Sequence, residues 1–234
     1  MENDPTIECP PGQINVERAQ SIYYDAFLRC FEFIVFNRII GNIYEFGTYK
    51  GFTARILASL IRGFQYPGNL FLFDSFEGLP EIESEVDKRS YEVSIYRVRE
   101  KGSMCLEQGI ENRIKEALAE ILPPERVTIT KGYFENTLEQ FLPNEKAAIL
   151  HIDCDLHAST MTVLEKALEK NVLQDGTLLL FDDFNCGCAN PMLGERKALD
   201  DFLARQKTFT CSHFFSYGWN AGAFILHAAA ESVR

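Results

Sequence analysis

Two groups of residues in this chain have types and spacings that chemistry could use. The first is E-x-G-x-x-x-G, made by Glu45, Gly47 and Gly51, with Asp74 and Ser75 some way downstream. The second is Asp153 together with the adjacent pair Asp182 and Asp183. In the first group the glycines permit a tight turn and a close approach of backbone to ligand. The pattern departs from the G-x-G-x-x-G of dinucleotide folds, which speaks against NAD. An acid closing the following strand, as Asp74 does, is where ribose hydroxyls are gripped. Glu45, Gly47, Gly51 and Asp74 together suit S-adenosylmethionine, a nucleoside with a sulfonium cation and no phosphate. Against this stands the plain alternative of a simple turn, with Asp74 capping the stretch before Glu77 and Gly78. In the second group, three carboxylates brought together repel unless protonated or neutralised. Oxygen-only donors select a hard divalent ion, with magnesium, calcium and manganese as candidates. The alternative there is a set of solvated loop acids with capping duties, since Asp155 and Ser159 both precede a helix.

The elements that must position these residues follow from the periodicity. Apolar residues recur at helical spacing over 16–40, among them Ile22, Ala26, Phe27, Cys30, Phe31 and Ile34. Short apolar runs then alternate with helical stretches: strands at Asn42–Phe46, 69–73, 127–130, Ala147–Ile152 and 177–181, helices at 53–63, 106–121, 159–170 and 195–206. Short buried strands separated by helices predict a parallel sheet covered on both faces. Phe209–Tyr217 and 221–227 lie too close together for a crossover and must pair antiparallel. The expected fold is a doubly wound α/β sheet of the class I methyltransferase (Rossmann-like) type, mostly parallel with a C-terminal antiparallel hairpin. One domain over 1–234 is expected, with an N-terminal arm over about 1–20 and a lid-like insertion over about 81–102.

Ligands of such a sheet lie beyond the carboxyl ends of its strands. Four of the five ends carry carboxylates, an arrangement unsuited to pyrophosphate and suited to hydroxyls, a cationic ligand or a metal. The chain of 234 residues is 46% apolar and 24% charged, which excludes fibrous and wholly disordered classes. Lys+Arg 23 against Asp+Glu 34 leaves a net charge of −11, a poor match to nucleic acid or to an anionic membrane face. No run approaches the ~18 apolar residues of a membrane span, and the acidic N-terminus lacks the features of a signal peptide. Seven scattered cysteines read as reduced thiols of a cytoplasmic protein, and Cys186-Gly187-Cys188 is a poor zinc pattern.

Y-E-F-G-T-Y-K-G, F-D-S-F-E-G-L-P-E, K-G-Y-F-E-N-T-L, H-I-D-C-D-L-H-A-S-T-M and F-D-D-F occur in that order. Over roughly residues 41–206 this resembles the macrocin O-methyltransferase family, whose members use S-adenosylmethionine and magnesium to methylate hydroxyls, typically on sugar moieties of natural products or glycans. The resemblance implies that Asp153, Asp182 and Asp183 hold the metal, that Asp153 takes the acceptor proton, and that Glu45, Gly47, Asp74 and Ser75 hold the cofactor. Further cofactor contacts are expected from the same strand ends, at Phe46, Tyr49, Gly51, Gly132 and Phe134. Catechol-type enzymes resemble this family but usually end the acidic pair in Asp-Asn, so Asp182-Asp183 favours the sugar type. The family commonly has Tyr where this chain has His157; a proton-acceptor role and a capping or packing role both stay open for it. His151, inside a strand, reads as a satisfied core histidine. Phe214, Phe215, Tyr217 and Trp219 could wall a sugar, with core packing as the simpler account of most of them. The expected partner is a small-molecule or glycan acceptor, which the sequence does not identify; self-association is left open. The competing readings are a nucleotide-using enzyme of another class on the same sheet, and a binding protein that has kept the nucleoside site.

Overall fold

The computed structural model describes residues 16–229. Of the arm expected over 1–20, residues 1–15 lie outside the described residues, and 16–20 already belong to the first helix, α1 (Val16–Phe36). Strands β1 (Asn42–Phe46), β2 (Leu70–Asp74), β3 (Val127–Lys131), β4 (Ala147–Ile152), β5 (Leu178–Phe181), β6 (Phe209–Tyr217) and β7 (Ala221–Ala228) form one sheet in the order β3-β2-β1-β4-β5-β7-β6. The first five are mutually parallel, and β7 runs antiparallel to both β5 and β6. The expected mostly parallel sheet with a closing hairpin is the one observed.

Helices cover both faces, for the reason visible in β4: every residue of Ala-Ala-Ile-Leu-His-Ile is buried, which demands a layer on each side. On one side α1, α2 (Phe52–Gly63) and α5 (Ile110–Ala119) pack on Ile43, Leu72, Ile149 and Leu180. On the other, α6 (Phe134–Phe141), α7 (His157–Glu169) and α8 (Gly194–Arg205) pack on Tyr44, Phe46, Leu150 and Phe181. Helix α1 buries Ala26, Phe27, Cys30, Phe31 and Ile34 on one stripe, and each large side chain so covered contributes ~1.5–3 kcal/mol. Phe214, Phe215 and Tyr217 of β6 join this layer, with Phe214 against Phe33 (ring centroids 5.0 Å), so packing accounts for them. Trp219, at the hairpin turn, stays 76% exposed.

The switch in strand order falls between β1 and β4, and there the two strand ends approach closely. Gly47 has φ +92°, and a Cβ on it would lie 1.9 Å from the carbonyl oxygen of Asp153. No side chain fits between these two strand ends. Between β2 and α5 the chain runs as a loop bearing two short helices, α3 (Glu85–Lys88) and α4 (Tyr91–Ser94), and its Arg99 reaches Asp155 and Asp183 beyond the carboxyl ends of β4 and β5. Among the described residues no helix is long and apolar enough to cross a membrane.

Candidate active site

A cleft opens beyond the ends of β1, β2, β3 and β4. Gly47, Tyr49, Asp74, Ser75, Phe134 and Asp153, all singled out in the sequence, line it. Leu79, Pro80, Met104 and Tyr133 add apolar walls, and Glu135, Asp155 and Ser159 add polar ones. Asp74 organises one end. One carboxylate oxygen accepts the backbone N–H groups of Thr48 (2.8 Å) and Tyr49 (2.7 Å), and the other that of Phe76 (2.6 Å). It therefore fixes the turn after β1 and the turn after β2 at once, with acceptor capacity left for a hydroxyl. Ser75 completes the second turn, its hydroxyl donating to the Gly78 carbonyl at 2.9 Å and accepting from the Glu77 N–H at 3.1 Å.

Four residues expected at the cofactor lie elsewhere. Glu45 is wholly buried on the α1 face, where Nδ1 of His151 lies 3.1 Å from its carboxylate. Phe46, next in the strand, is buried on the opposite face against Phe73 and Phe134. Gly51 opens α2 and abuts Ile114, while Gly132 abuts Thr137. Alternation along the strand turns Glu45 to the α1 face, whereas the cleft is lined by residues at or beyond the strand ends.

At the other end of the cleft, carboxylate oxygens of Asp153, Asp155 and Asp183 lie within 4.8 Å of one another. Among the described residues this is the group of acidic, histidine or cysteine side chains placed to share a cation. Asp182 is not in it. Consecutive residues point to opposite sides, and Asp182 turns to the α1 face, where the Tyr23 hydroxyl donates to it (2.7 and 2.9 Å) and His151 Nε2 lies 4.0 Å away. Asp155, which the sequence offered only as a helix cap, takes its place in the cluster. The cap of α7 comes instead from the insertion: Asp87 accepts the N–H groups of His157 (2.7 Å) and Ala158 (3.1 Å). His157 itself packs between helices, with Nε2 2.9 Å from Asp201 of α8, and does not line the cleft.

Burial and mutual repulsion raise Asp153 and Asp155. Asp153 is pushed well above the usual carboxylate range by burial, then by the charges of Asp182, Asp155 and Asp183. Asp155 is pushed up to about 7 by burial and by Asp183, against the lowering pull of Arg99. Two residues that the sequence did not single out hold the cluster together. Glu195, in the first turn of α8 and wholly buried, accepts from the N–H of Cys154 (3.2 Å) and of Asp183 (2.8 Å), tying the two acidic strand ends to each other. Arg99 of the insertion bridges Asp155 (2.7 Å from Nε) and Asp183. Neither carried a sequence signal: Glu195 reads as an ordinary first-turn acid, and Arg99 as one charge in a polar run. The Cys186 thiol donates to Asp183 at 3.0 Å, and Cys188 is exposed, so the pair forms no cluster.

The donor chemistry can be tested against the two expected groups. Three carboxylates with no nitrogen or sulfur donor fit a hard divalent cation, once Arg99 is drawn off two of them. A cleft with aromatic and thioether walls at one end and carboxylates at the other fits a flat base, ribose hydroxyls and a sulfonium.

Comparison with known proteins agrees with this geometry. Residues 22–209 match the profile of the Macrocin-O-methyltransferase (TylF) family. The chain is 23% identical over 220 residues to 8-demethyl-8-(2,3-dimethoxy-alpha-L-rhamnosyl)-tetracenomycin-C 4'-O-methyltransferase of Streptomyces olivaceus, covering 94% of this chain and 76% of that protein. It is 22% identical over 156 residues to mycinamicin III 3''-O-methyltransferase of Micromonospora griseorubida, covering 66% of this chain and 59% of that protein. In fold it is similar to the calicheamicin methyltransferase CalS11 (TM-score 0.70, 21% identity, 90% of this chain and 79% of that one). The O-methyltransferase NovP is also similar (TM-score 0.68, 18% identity, 89% and 80%). With a profile spanning most of its length and a sheet of matching architecture, the chain belongs to the macrocin O-methyltransferase family.

Proposed function

We propose that the protein transfers the methyl group of S-adenosylmethionine to a hydroxyl of a sugar, beside a divalent cation, best magnesium, held by Asp153, Asp155 and Asp183. The observation that carries this is the position of Asp153, which lines the cleft and also belongs to the acidic cluster. A methyl donor in the cleft and an acceptor hydroxyl at the cluster would thus meet at one side chain. The sugar class follows from family membership and from the rhamnosyl acceptor in the name of the Streptomyces relative.

Asp74 orients the nucleoside end by fixing both turns around it, and Tyr49 and Phe134 supply apolar surface. A bound cation would supply Lewis acidity, lowering the pKa of the acceptor hydroxyl. The proton leaves to a carboxylate oxygen of Asp153, the acid that both lines the cleft and belongs to the acidic cluster. Glu195 keeps Asp153 and Asp183 at fixed separation by holding the backbone that follows each strand. Asp182 stays behind the site, satisfied by Tyr23. Transfer of labelled methyl from S-adenosylmethionine to a panel of rhamnosylated and other deoxysugar acceptors, with excess magnesium, tests the reading. Product methylated on a sugar oxygen is expected; no binding of S-adenosylmethionine and no transfer to any acceptor would overturn it.

A further inference from the structure

The insertion between β2 and α5 is fastened to the body in an unusual way. Between residues 80 and 105 its buried side chains are Asp87, Ser90 and Arg99, all polar; Ile95, Tyr96 and Val98 face solvent. Its ends meet at a neck, where the Leu79 N–H donates to the Ser103 carbonyl and the Gly102 N–H to the Leu79 carbonyl, both at 2.9 Å. Beyond the neck the anchors are Asp87 on the start of α7, Glu92 on the Gly187 N–H (2.6 Å), and Arg99 on Asp155 and Asp183. A segment that buries no large apolar side chain gains little from the hydrophobic effect and opens at low cost. What holds it down is mainly charge.

The partners of Arg99 are two of the three carboxylates assigned above to a divalent cation. Arg99 already occupies one oxygen of each of these two carboxylates, and its positive charge beside the cluster repels a divalent ion brought to the same acids. Without a metal, the cluster still needs a positive charge, and Arg99 supplies one. Burial works against its charge, but Asp155 and Asp183 keep it firmly protonated.

We propose that Arg99 is a stand-in cation for the acidic cluster, mutually exclusive with the divalent ion, so that cation binding frees the insertion from Asp155 and Asp183. The two events are then reciprocally linked: whatever weakens the Arg99 latch strengthens cation binding. This rests on reading Asp153, Asp155 and Asp183 as the cation site, but not on what is methylated.

The test reads binding and backbone exposure, not methyl transfer. Magnesium chloride is titrated calorimetrically into the wild-type protein, Arg99→Met and Arg99→Lys. At least tenfold tighter binding is expected for Arg99→Met, with Arg99→Lys, which keeps the charge but loses the two-pronged fork, in between. In the wild-type protein, amide hydrogen exchange over residues 85–103 should accelerate at saturating magnesium while β4 stays protected. Equal or weaker magnesium affinity in Arg99→Met overturns the proposal, as does unchanged or slower exchange of that segment. Absence of magnesium binding in every form overturns it too, and would leave Arg99 as the permanent counter-ion. The wild-type exchange result decides the matter even if the variants fail to fold. Failure of the sugar-methylation reading would show in the acceptor panel and leave these readouts untouched.

Discussion

At the ends of β1 and β2 one carboxylate, Asp74, meets three backbone N–H donors. At the ends of β4 and β5, Asp153, Asp155, Asp182, Asp183 and Glu195 crowd around one guanidinium, one tyrosine hydroxyl and two backbone amides. The first end is satisfied as it stands and is built to receive a ligand without rearrangement. The second is buried and short of positive charge: burial first, and then the neighbouring acids, push Asp153, Asp155 and Glu195 upward, and a side chain from a loosely packed loop lies among them. On the proposed reading, recognition of the nucleoside sits where charge is already satisfied, and reactive chemistry where it is not.

Four substitutions and a chelator would break or sharpen that contrast. The largest effect is expected at the acidic end: Asp153→Asn should lower methyl transfer by ~10²–10⁴-fold, the usual worth of a positioned base, while calorimetry shows S-adenosylmethionine still bound. Excess chelator should act in the same way, and full turnover in chelator would reduce the acidic end to solvated loop acids.

Gly47→Ala comes next and strikes both ends together. The added methyl meets the Asp153 carbonyl at 1.9 Å in a backbone conformation that disfavours a side chain, so a loss of ~3 kcal/mol or more in urea unfolding is expected. A variant of wild-type stability would show that the two strand ends can part cheaply.

Asp74→Ala should weaken S-adenosylmethionine by ~1.5–3 kcal/mol in calorimetry with magnesium affinity unchanged, because it removes a charged acceptor from three N–H groups at the saturated end only. Equal losses of both ligands would mean that the ends are not separate.

The smallest effect belongs to Asp87→Ala. Loss of the cap on α7 should cost ~1 kcal/mol and speed hydrogen exchange in the insertion before it is felt in the sheet. A large global loss would show that the insertion is part of the core.

Much of the scaffold was legible in the chain itself. β4 reads as a buried central strand because six consecutive small or apolar positions, interrupted only by His151, leave no solvent face. The hairpin of β6 and β7 was readable because three residues between two strands cannot span a crossover. The strand-end motifs and their likeness to a known family located the cleft, and Gly47, Tyr49, Asp74, Ser75, Phe134 and Asp153 are indeed on it.

Local pattern determined which segments become strands, and therefore which loops gather at one edge of the sheet, since strand order and crossovers follow from few choices. It could not determine which way each acid turns once the strand has ended. Asp182 and Asp183 are neighbours in sequence and diverge in space, one to Tyr23 and the other to Arg99. Glu45, in the heart of the motif, is drawn to His151, because a buried carboxylate takes the nearest polar partner that the other strands present. Arg99, Asp87 and Glu195 owe their parts to long-range contacts of ordinary charged residues, and nothing local marks such a residue as the one that will be buried. Composition and periodicity set the sheet; the pairing of its charges was decided only when distant segments closed over its edge.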